Sequence, residues 1–260
     1  MDLQLEGKVV VVTGGAQGIG EAVVRTLAAE GAVPVIVDKD EAAGRTLRAA
    51  LTAEGHRAEL VVCDLVEPGA CRAAAEEVER LVGPAYGLVN NAGLNDGVRL
   101  EDGSADAFVL SLRRNVVHYF EMVQALLADL TAQHGAVVNV ASKVALTGQG
   151  GTSGYAASKG AILALTREWA VDLLPHGVRV NAVIPAETMT PQYRQWIQGF
   201  PNPTEKLAAI TGRIPLGKRM TEPEEVAAMV VFLLSPKAGH ITGEHLLVDG
   251  GYVHLDRSLP

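Results

Sequence analysis

Tyr155 and Lys159 lie four residues apart in the run Tyr155-Ala156-Ala157-Ser158-Lys159, a helix-forming stretch that sets both side chains on one face. A free phenol, with a pKa near ~10, is a poor base at neutral pH. A lysine ammonium one turn away favours the phenolate and lets the pair draw a proton from a hydroxyl group. Ser142 ends the strand-like run before this helix, placed to hydrogen-bond the same reacting oxygen. A Tyr-x-x-x-Lys pair is common on helix surfaces, so its meaning depends on what surrounds it.

Upstream, Thr13-Gly14-Gly15-Ala16-Gln17-Gly18-Ile19-Gly20 follows a β-branched run and opens a helical one. In that context Gly14 permits a tight turn off the strand, Gly18 admits a pyrophosphate, and Gly20 lets the helix pack close to the sheet. Backbone N–H groups at the helix start would hold the diphosphate. Asp38 ends the second strand, 18 residues beyond Gly20. A carboxylate there meets the adenosine ribose hydroxyls and repels a 2′-phosphate, so NAD is expected over NADP despite the neighbouring Lys39. Asp64-Leu65 ends the third strand and is expected at the adenine edge. Asn90-Asn91-Ala92-Gly93 ends the fourth, with Asn90 read as a brace and Asn91, Ala92 and Gly93 as cofactor contacts.

The elements that must position these groups alternate. Strands are expected at 8–12, 33–37, 58–63, 86–89, 136–141, 178–183 and 246–248; helices are expected at 18–30, 40–54, 68–82, 104–133, 154–174 and 221–234. Pro34 cannot donate to a ladder and is placed at its strand's beginning. Pro68 suits a helix start, and Thr221 with Glu224 reads as a capping box. The alternation predicts an α/β fold, a three-layer Rossmann-type doubly wound parallel sheet, as a single domain over residues 1–260. Its topology brings Ser142, Tyr155 and the glycine loop to the C-terminal edge of the sheet. Segment 186–215 is polar, broken by Pro191, Pro201 and Pro203, and carries Tyr193, Trp196 and Phe200. It is expected to be irregular and to serve as a substrate lid.

Composition removes other classes. A net charge of −8 argues against nucleic acid or an anionic membrane as the main partner. The start of the chain lacks a signal-peptide pattern, and no apolar run approaches the ~20 residues that span a bilayer. Cys63 and Cys71 are too few for a disulfide framework and suit reduced thiols in the cytoplasm. The seven histidines show no metal-ligand spacing, so no metal is expected.

With these motifs in order, the sequence resembles the short-chain dehydrogenase/reductase family from Lys8 to Tyr252. The matching residues are the 13–20 loop, Asp64, Asn90 to Gly93, Asn115, Ser142, Tyr155, Lys159, Arg179-Val180-Asn181 and Asp249-Gly250-Gly251. The resemblance implies an NAD(P)-dependent oxidoreductase with Asn115, Ser142, Tyr155 and Lys159 as catalytic tetrad, Asn115 holding a water that relays protons from Lys159. It implies cofactor contacts from Gly14, Gln17, Gly18, Ile19, Asp38, Asp64, Leu65, Asn91, Ala92, Gly93, Tyr155, Lys159, Pro185, Thr188 and Met189. The family usually has Pro-Gly after the sixth strand, whereas this chain has Pro185-Ala186. A nucleotide sensor that had lost turnover would lack the Tyr or the Lys, and both are present.

Around the reacting group, Asn95 and Asp96 follow the fourth strand, Lys143 follows Ser142, Gln149 precedes Tyr155, and Glu187 and Trp196 lie in the lid. Together with Ser142 and Tyr155, these suit a polyhydroxylated substrate better than a steroid or fatty chain. Runs 142–150, 184–191 and 251–257 resemble bacterial aldose dehydrogenases acting on L-fucose, which implies oxidation of pyranose C1 to a lactone. The alternatives are a polyol, sugar-acid or hydroxysteroid dehydrogenase of the same family. The family also implies a homotetramer. The helix at 154–174 has apolar residues on more than one face, among them Ile162, Leu163, Leu165 and Trp169, and the tail 252–260 is expected to reach a neighbouring subunit.

Overall fold

Seven short runs, most of them rich in Val, Ile and Leu, form one parallel sheet in the order β3-β2-β1-β4-β5-β6-β7. The strands are β1 (Val9–Thr13), β2 (Val33–Asp38), β3 (Glu59–Val62), β4 (Gly87–Asn90), β5 (Ala136–Val140), β6 (Arg179–Pro185) and β7 (His245–Val248). β1, β4 and β5 are buried along their whole length, because helices cover both faces of the sheet. This is a computed structural model, and it describes residues 1–255. The proposed reach of the C-terminal tail therefore falls partly outside the described residues; residues 252–254 form turns beyond Asp249-Gly250-Gly251.

The helices are α1 (Gly18–Ala29), α2 (Glu41–Ala53), α3 (Ala70–Val82), α4 (Ala105–Leu112), α5 (His118–Ala125), α6 (Leu127–Ala132), α7 (Ser153–Leu173), α8 (Pro191–Gln198), α9 (Pro203–Thr211) and α10 (Pro223–Leu234). On one face of the sheet, Leu27 of α1, Leu47 of α2 and Val230 of α10 pack with Val10, Val12 and Ile36. On the other, Val78 of α3, Met122 of α5 and Ile162 of α7 pack with Val11, Val35 and Val137. The result is the single-domain, three-layer α/β fold expected from the alternation.

Most element limits moved by one or two residues, and each larger departure has a local cause. Pro34 is the second residue of β2, near the strand's beginning as expected, and β3 begins to pair only at Val35. Val33 donates to Lys8 O, so the donor that proline lacks would have pointed to the unpaired β3 side. Pro68 lies before α3, since Gly69 takes a left-handed φ of 79° and caps the helix from outside it. The capping box belongs to Glu222 and Glu225, not Thr221 and Glu224, because Pro223 occupies the first helical position. Thr221 instead bridges to Thr188.

Two regions differ more. The single helix expected at 104–133 is α4, a π-helical turn at Arg113–Val117, α5, and then α6 after a break at Leu126. The 186–215 segment is not irregular: Thr190 and Asn202 cap α8 and α9, and Pro191 and Pro203 each take a first helical position. Two of the three prolines that suggested a broken loop, Pro191 and Pro203, are helix starts.

Candidate active site

The site gathers where the strand order reverses, between the C-terminal ends of β1 and β4, the position at which such sheets bind ligands. Asn91 N donates to Thr13 Oγ1 at 2.9 Å, and Asn91 Nδ2 donates to the carbonyls of Thr13 and Gly14 at 3.0 Å each. Asn91 therefore braces the glycine loop with its side chain, an amide expected to face the cofactor. Asn90 braces the sheet as expected, donating to Asn139 Oδ1 at 3.0 Å, and Asn139 donates in turn to Thr166 of α7 at 3.0 Å. This buried polar chain ties β4 to β5 and α7.

Gly14 and Gly18 hold left-handed φ values of 61° and 60°. A Cβ on Gly20 would collide with the Gly14 carbonyl oxygen and stand 2.7 Å from Asn91 Nδ2. A Cβ on Gly18 would stand 3.3 Å from Thr190, so the start of α8 closes over the glycine loop. Asp38 accepts from Ala16 N and from Asp40 N at 3.0 Å each, which fixes its carboxylate beside the loop. Gln17 is tied to Asp40 at 2.8 Å, and Ile19 is half-buried against the core. Lys39 is drawn to Asp64, 3.6 Å away. The Leu65 side chain packs into the core, leaving its backbone at the strand end.

The reacting group forms on the other side of this edge. Tyr155 and Lys159 project from α7, and Ser142 begins the turn after β5 and hydrogen-bonds Tyr155. Burial raises the Tyr155 pKa above its ordinary value, and the Ser142 contact partly opposes that. Lys159 is buried, and desolvation lowers its pKa to about 7. Its Nζ lies 5.6 Å from the centre of the Tyr155 ring. A positive charge on that side of the ring favours the phenolate. Asn115 falls in the π-helical turn, a feature that recurs at functional sites. Its amide is held by the chain at both ends, accepting from Leu94 N at 2.8 Å and donating to Ser111 O at 2.9 Å. Gly93 sits between Asn115 and Lys159, since a Cβ there would lie 2.8 Å from Asn115 Oδ1 and 3.8 Å from Lys159 Nζ.

The expected substrate residues divide into two sets. Lys143 and Glu187 are brought together as a nearly buried ion pair. Tyr193 donates to the second Glu187 oxygen at 2.6 Å, and the Tyr252 ring lies 4.2 Å from Lys143 Nζ. Asn95 and Gln149 are exposed, and Asn95 closes a local turn onto Gly97 N. Trp196 is 48 % exposed and stacks edge-on with Tyr193 and Phe200. A hollow of about 400 Å³ lies along loop 144–153 and Ala156, with Gln149 on its wall. A larger one, of about 590 Å³, lies at the opposite edge of the sheet, among residues 28–33 and 55–57, away from this chemistry. Pro185 ends β6, and Ala186 needs no left-handed backbone, so the usual glycine is dispensable there. Thr188 is buried, its hydroxyl oxygen has no partner among the described residues, and Met189 N donates to Thr221 O at 3.0 Å. Tyr119 escaped the sequence reading, while Thr13 was read only as the start of the glycine loop and Tyr193 only as an aromatic of the lid. Tyr119 follows Asn115 by four residues, the one local signal that could have pointed to it.

A family profile described as enoyl-(acyl carrier protein) reductase matches residues 14–253. The L-fucose dehydrogenase of Bos taurus is 38 % identical over 252 residues, covering 96 % of this chain and 91 % of that one. The chain belongs to the short-chain dehydrogenase/reductase family. Dehydrogenases of this family use a nicotinamide dinucleotide, and the braced glycine loop fits one. The solved structure of Cj0485 dehydrogenase superposes with a TM-score of 0.94 at 42 % identity, covering 100 % of this chain and 99 % of that one. The aldohexose dehydrogenase of Thermoplasma acidophilum gives 0.88 at 28 %, covering 99 % and 98 %. Among the described residues no helix is long and apolar enough to cross a membrane, and no His, Cys, Asp and Glu cluster could hold a metal ion.

Proposed function

We propose that this enzyme oxidises C1 of an aldose, L-fucose or a similar pyranose, to the lactone with NAD. The observation that carries the reading is the Tyr155–Lys159–Ser142 group set at the sheet edge beside the braced glycine loop. Its relatives named for L-fucose and aldohexose support the substrate class. When bound, the nicotinamide accepts hydride from the substrate carbon. Ser142 donates to the anomeric oxygen and orients it. Tyr155 takes the hydroxyl proton as the C1–H bond breaks, leaving C1 doubly bonded to oxygen. Lys159 supplies the positive charge that makes the phenolate accessible. Asn115 holds loop 93–95 in place beside Lys159 and, as the resemblance implies, holds a water that relays protons from Lys159.

Gly14, Gln17, Gly18, Ile19 and the free N–H groups of the first turn of α1 hold the diphosphate. Asp38 takes the adenosine ribose, with Asp64, Leu65, Asn91, Ala92 and Gly93 along the adenine and ribose path. Pro185, Thr188 and Met189 face the nicotinamide end, where the unpartnered Thr188 hydroxyl suits a carboxamide. Segment 186–215 is the lid, and Lys143, Glu187, Gln149, Asn95 and Trp196 line the sugar side. The protein works as a homotetramer in the cytoplasm. Its outward apolar residues include Phe120, Leu127, Val171 and Leu174, whereas Ile162, Leu163 and Trp169 are buried in the chain's own core. The test is NAD reduction across a panel of aldoses, polyols and hydroxysteroids, repeated with Tyr155→Phe. Turnover of aldoses, lost in the variant, is expected. Silence across all aldoses would end the substrate reading, and full activity in Tyr155→Phe would end the mechanism.

A further inference from the structure

Lys159 has a partner outside the four-residue constellation. Its Nζ donates to the Tyr119 hydroxyl at 3.2 Å and to the Val140 carbonyl at 2.8 Å. The Tyr119 hydroxyl donates to that same carbonyl at 3.1 Å, closing a triangle of three polar atoms. Tyr119 is completely buried, and Lys159 is 3 % exposed. The π-helical turn just before α5 adds a residue to one turn, and Asn115 and Tyr119 both end up buried beside α7.

We propose that Tyr119 is a positioning residue for Lys159, its phenolic oxygen holding the ammonium in place and sustaining its charge against burial. The proposal rests on the reading that Lys159 assists Tyr155. A buried ammonium keeps its proton only as far as oxygen acceptors replace lost water. Here those acceptors are the Val140 carbonyl, which already receives a second donor, and Tyr119. The groups facing Lys159 are Tyr155 from its own helix and Tyr119 and His118 from α5, with Asp64 acting on His118 from beyond. Among the described residues no carboxylate lies within ion-pair distance of Lys159. Tyr119 does not relay protons. Its own proton is committed to a carbonyl in the core, which cannot pass one to solvent. Burial holds Tyr119 itself well above the ordinary phenol range, so it stays a neutral acceptor.

The experiment is the pH dependence of aldose oxidation by the full-length enzyme carrying Tyr119→Phe, at saturating NAD. Loss of one acceptor makes the ammonium less stable, so the alkaline limb set by Lys159 moves to lower pH by about half a unit or more. The kcat near neutrality falls about two- to threefold, while KM stays within about twofold. A profile that does not move, whatever happens to kcat, overturns the proposal. Should the Phe variant fold poorly, 3-fluorotyrosine at position 119 keeps the volume and weakens the acceptor, and a smaller shift in the same direction is expected; no shift overturns the proposal equally. Lys159→Met separates the two levels. If it abolishes turnover while the Tyr119 variants leave the profile unmoved, only the positioning role fails. If it leaves turnover intact, the reading of Lys159 fails.

Discussion

Lys143 and Glu187 are ion-paired across the two segments that leave β5 and β6, with side chains only 8 % and 12 % exposed. One residue adjoins Ser142, and the other begins the lid. Tyr193 of α8 completes the group by donating to Glu187. Two charges withdrawn from water in this way are stable only through each other. The pair therefore couples the lid to the reacting serine, and its net charge of zero favours a neutral sugar over an anionic sugar acid.

Glu187→Ala leaves the Lys143 charge buried and unpaired, and it should cost about 3 kcal/mol of stability in denaturant unfolding. Lys143→Met combined with Glu187→Leu removes both charges and should regain most of that loss. The sugar KM should stay raised about tenfold in both variants, because the polar lining does not return. A double variant with the wild-type KM would take the pair out of substrate recognition.

Gly20→Ala should abolish cofactor binding and destabilise the fold, since the new methyl meets the Gly14 backbone carbonyl and the Asn91 side-chain amide, which is pinned to the Thr13 and Gly14 carbonyls. Gly160→Ala is the matched control. Gly160 lies inside α7 with open space at its Cβ and no left-handed φ, so alanine should stabilise the helix by about 0.8 kcal/mol. Cofactor titration and thermal unfolding of the two proteins check both statements. Normal cofactor affinity in Gly20→Ala would show that the loop yields.

The reacting group and the sheet were legible because each is written locally. A β-branched run followed by spaced glycines has few other outcomes, and Tyr155 and Lys159 share a helix. The π-helical turn was not legible. Nothing between Ser104 and Gln133 breaks a helix by composition, and the extra residue is stabilised by tertiary contact with α7, not by propensity. Tyr119 was missed for the same reason, since its partner lies 40 positions away. The local structure of segment 186–215 was misread as irregular because Pro191 and Pro203 serve as helix starts as well as helix breakers.

Asp38→Ser should move the enzyme toward NADP. Asp38 stands at the end of β2 with both oxygens held by backbone N–H groups, and the neighbouring Lys39 is engaged by Asp64. A 2′-phosphate would meet an immovable carboxylate and no free cation. Removing the carboxylate should change the ratio of kcat/KM for NAD over NADP by about tenfold or more in favour of NADP. An unchanged ratio would place cofactor choice elsewhere.

His118 makes the fold sensitive to acid. It is buried beside Tyr119, its Nε2 contacts Arg114 O at 3.1 Å, and its Nδ1 has no partner among the described residues. Desolvation lowers its pKa from 6.5 to about 4, against a weaker raising effect of the Arg114 carbonyl. The sign follows from proton counting. Above pH 6.5 the residue is neutral in both folded and unfolded chains, and its contribution is constant. Between 6.5 and about 4 the unfolded chain takes up a proton that the folded chain refuses, so stability falls as pH falls. Over that window the loss amounts to about 3 kcal/mol. His118→Phe should flatten this part of the stability curve, by about one proton in slope, in urea unfolding measured from pH 7 to 4. An unchanged slope in the variant would mean that His118 becomes protonated within the fold.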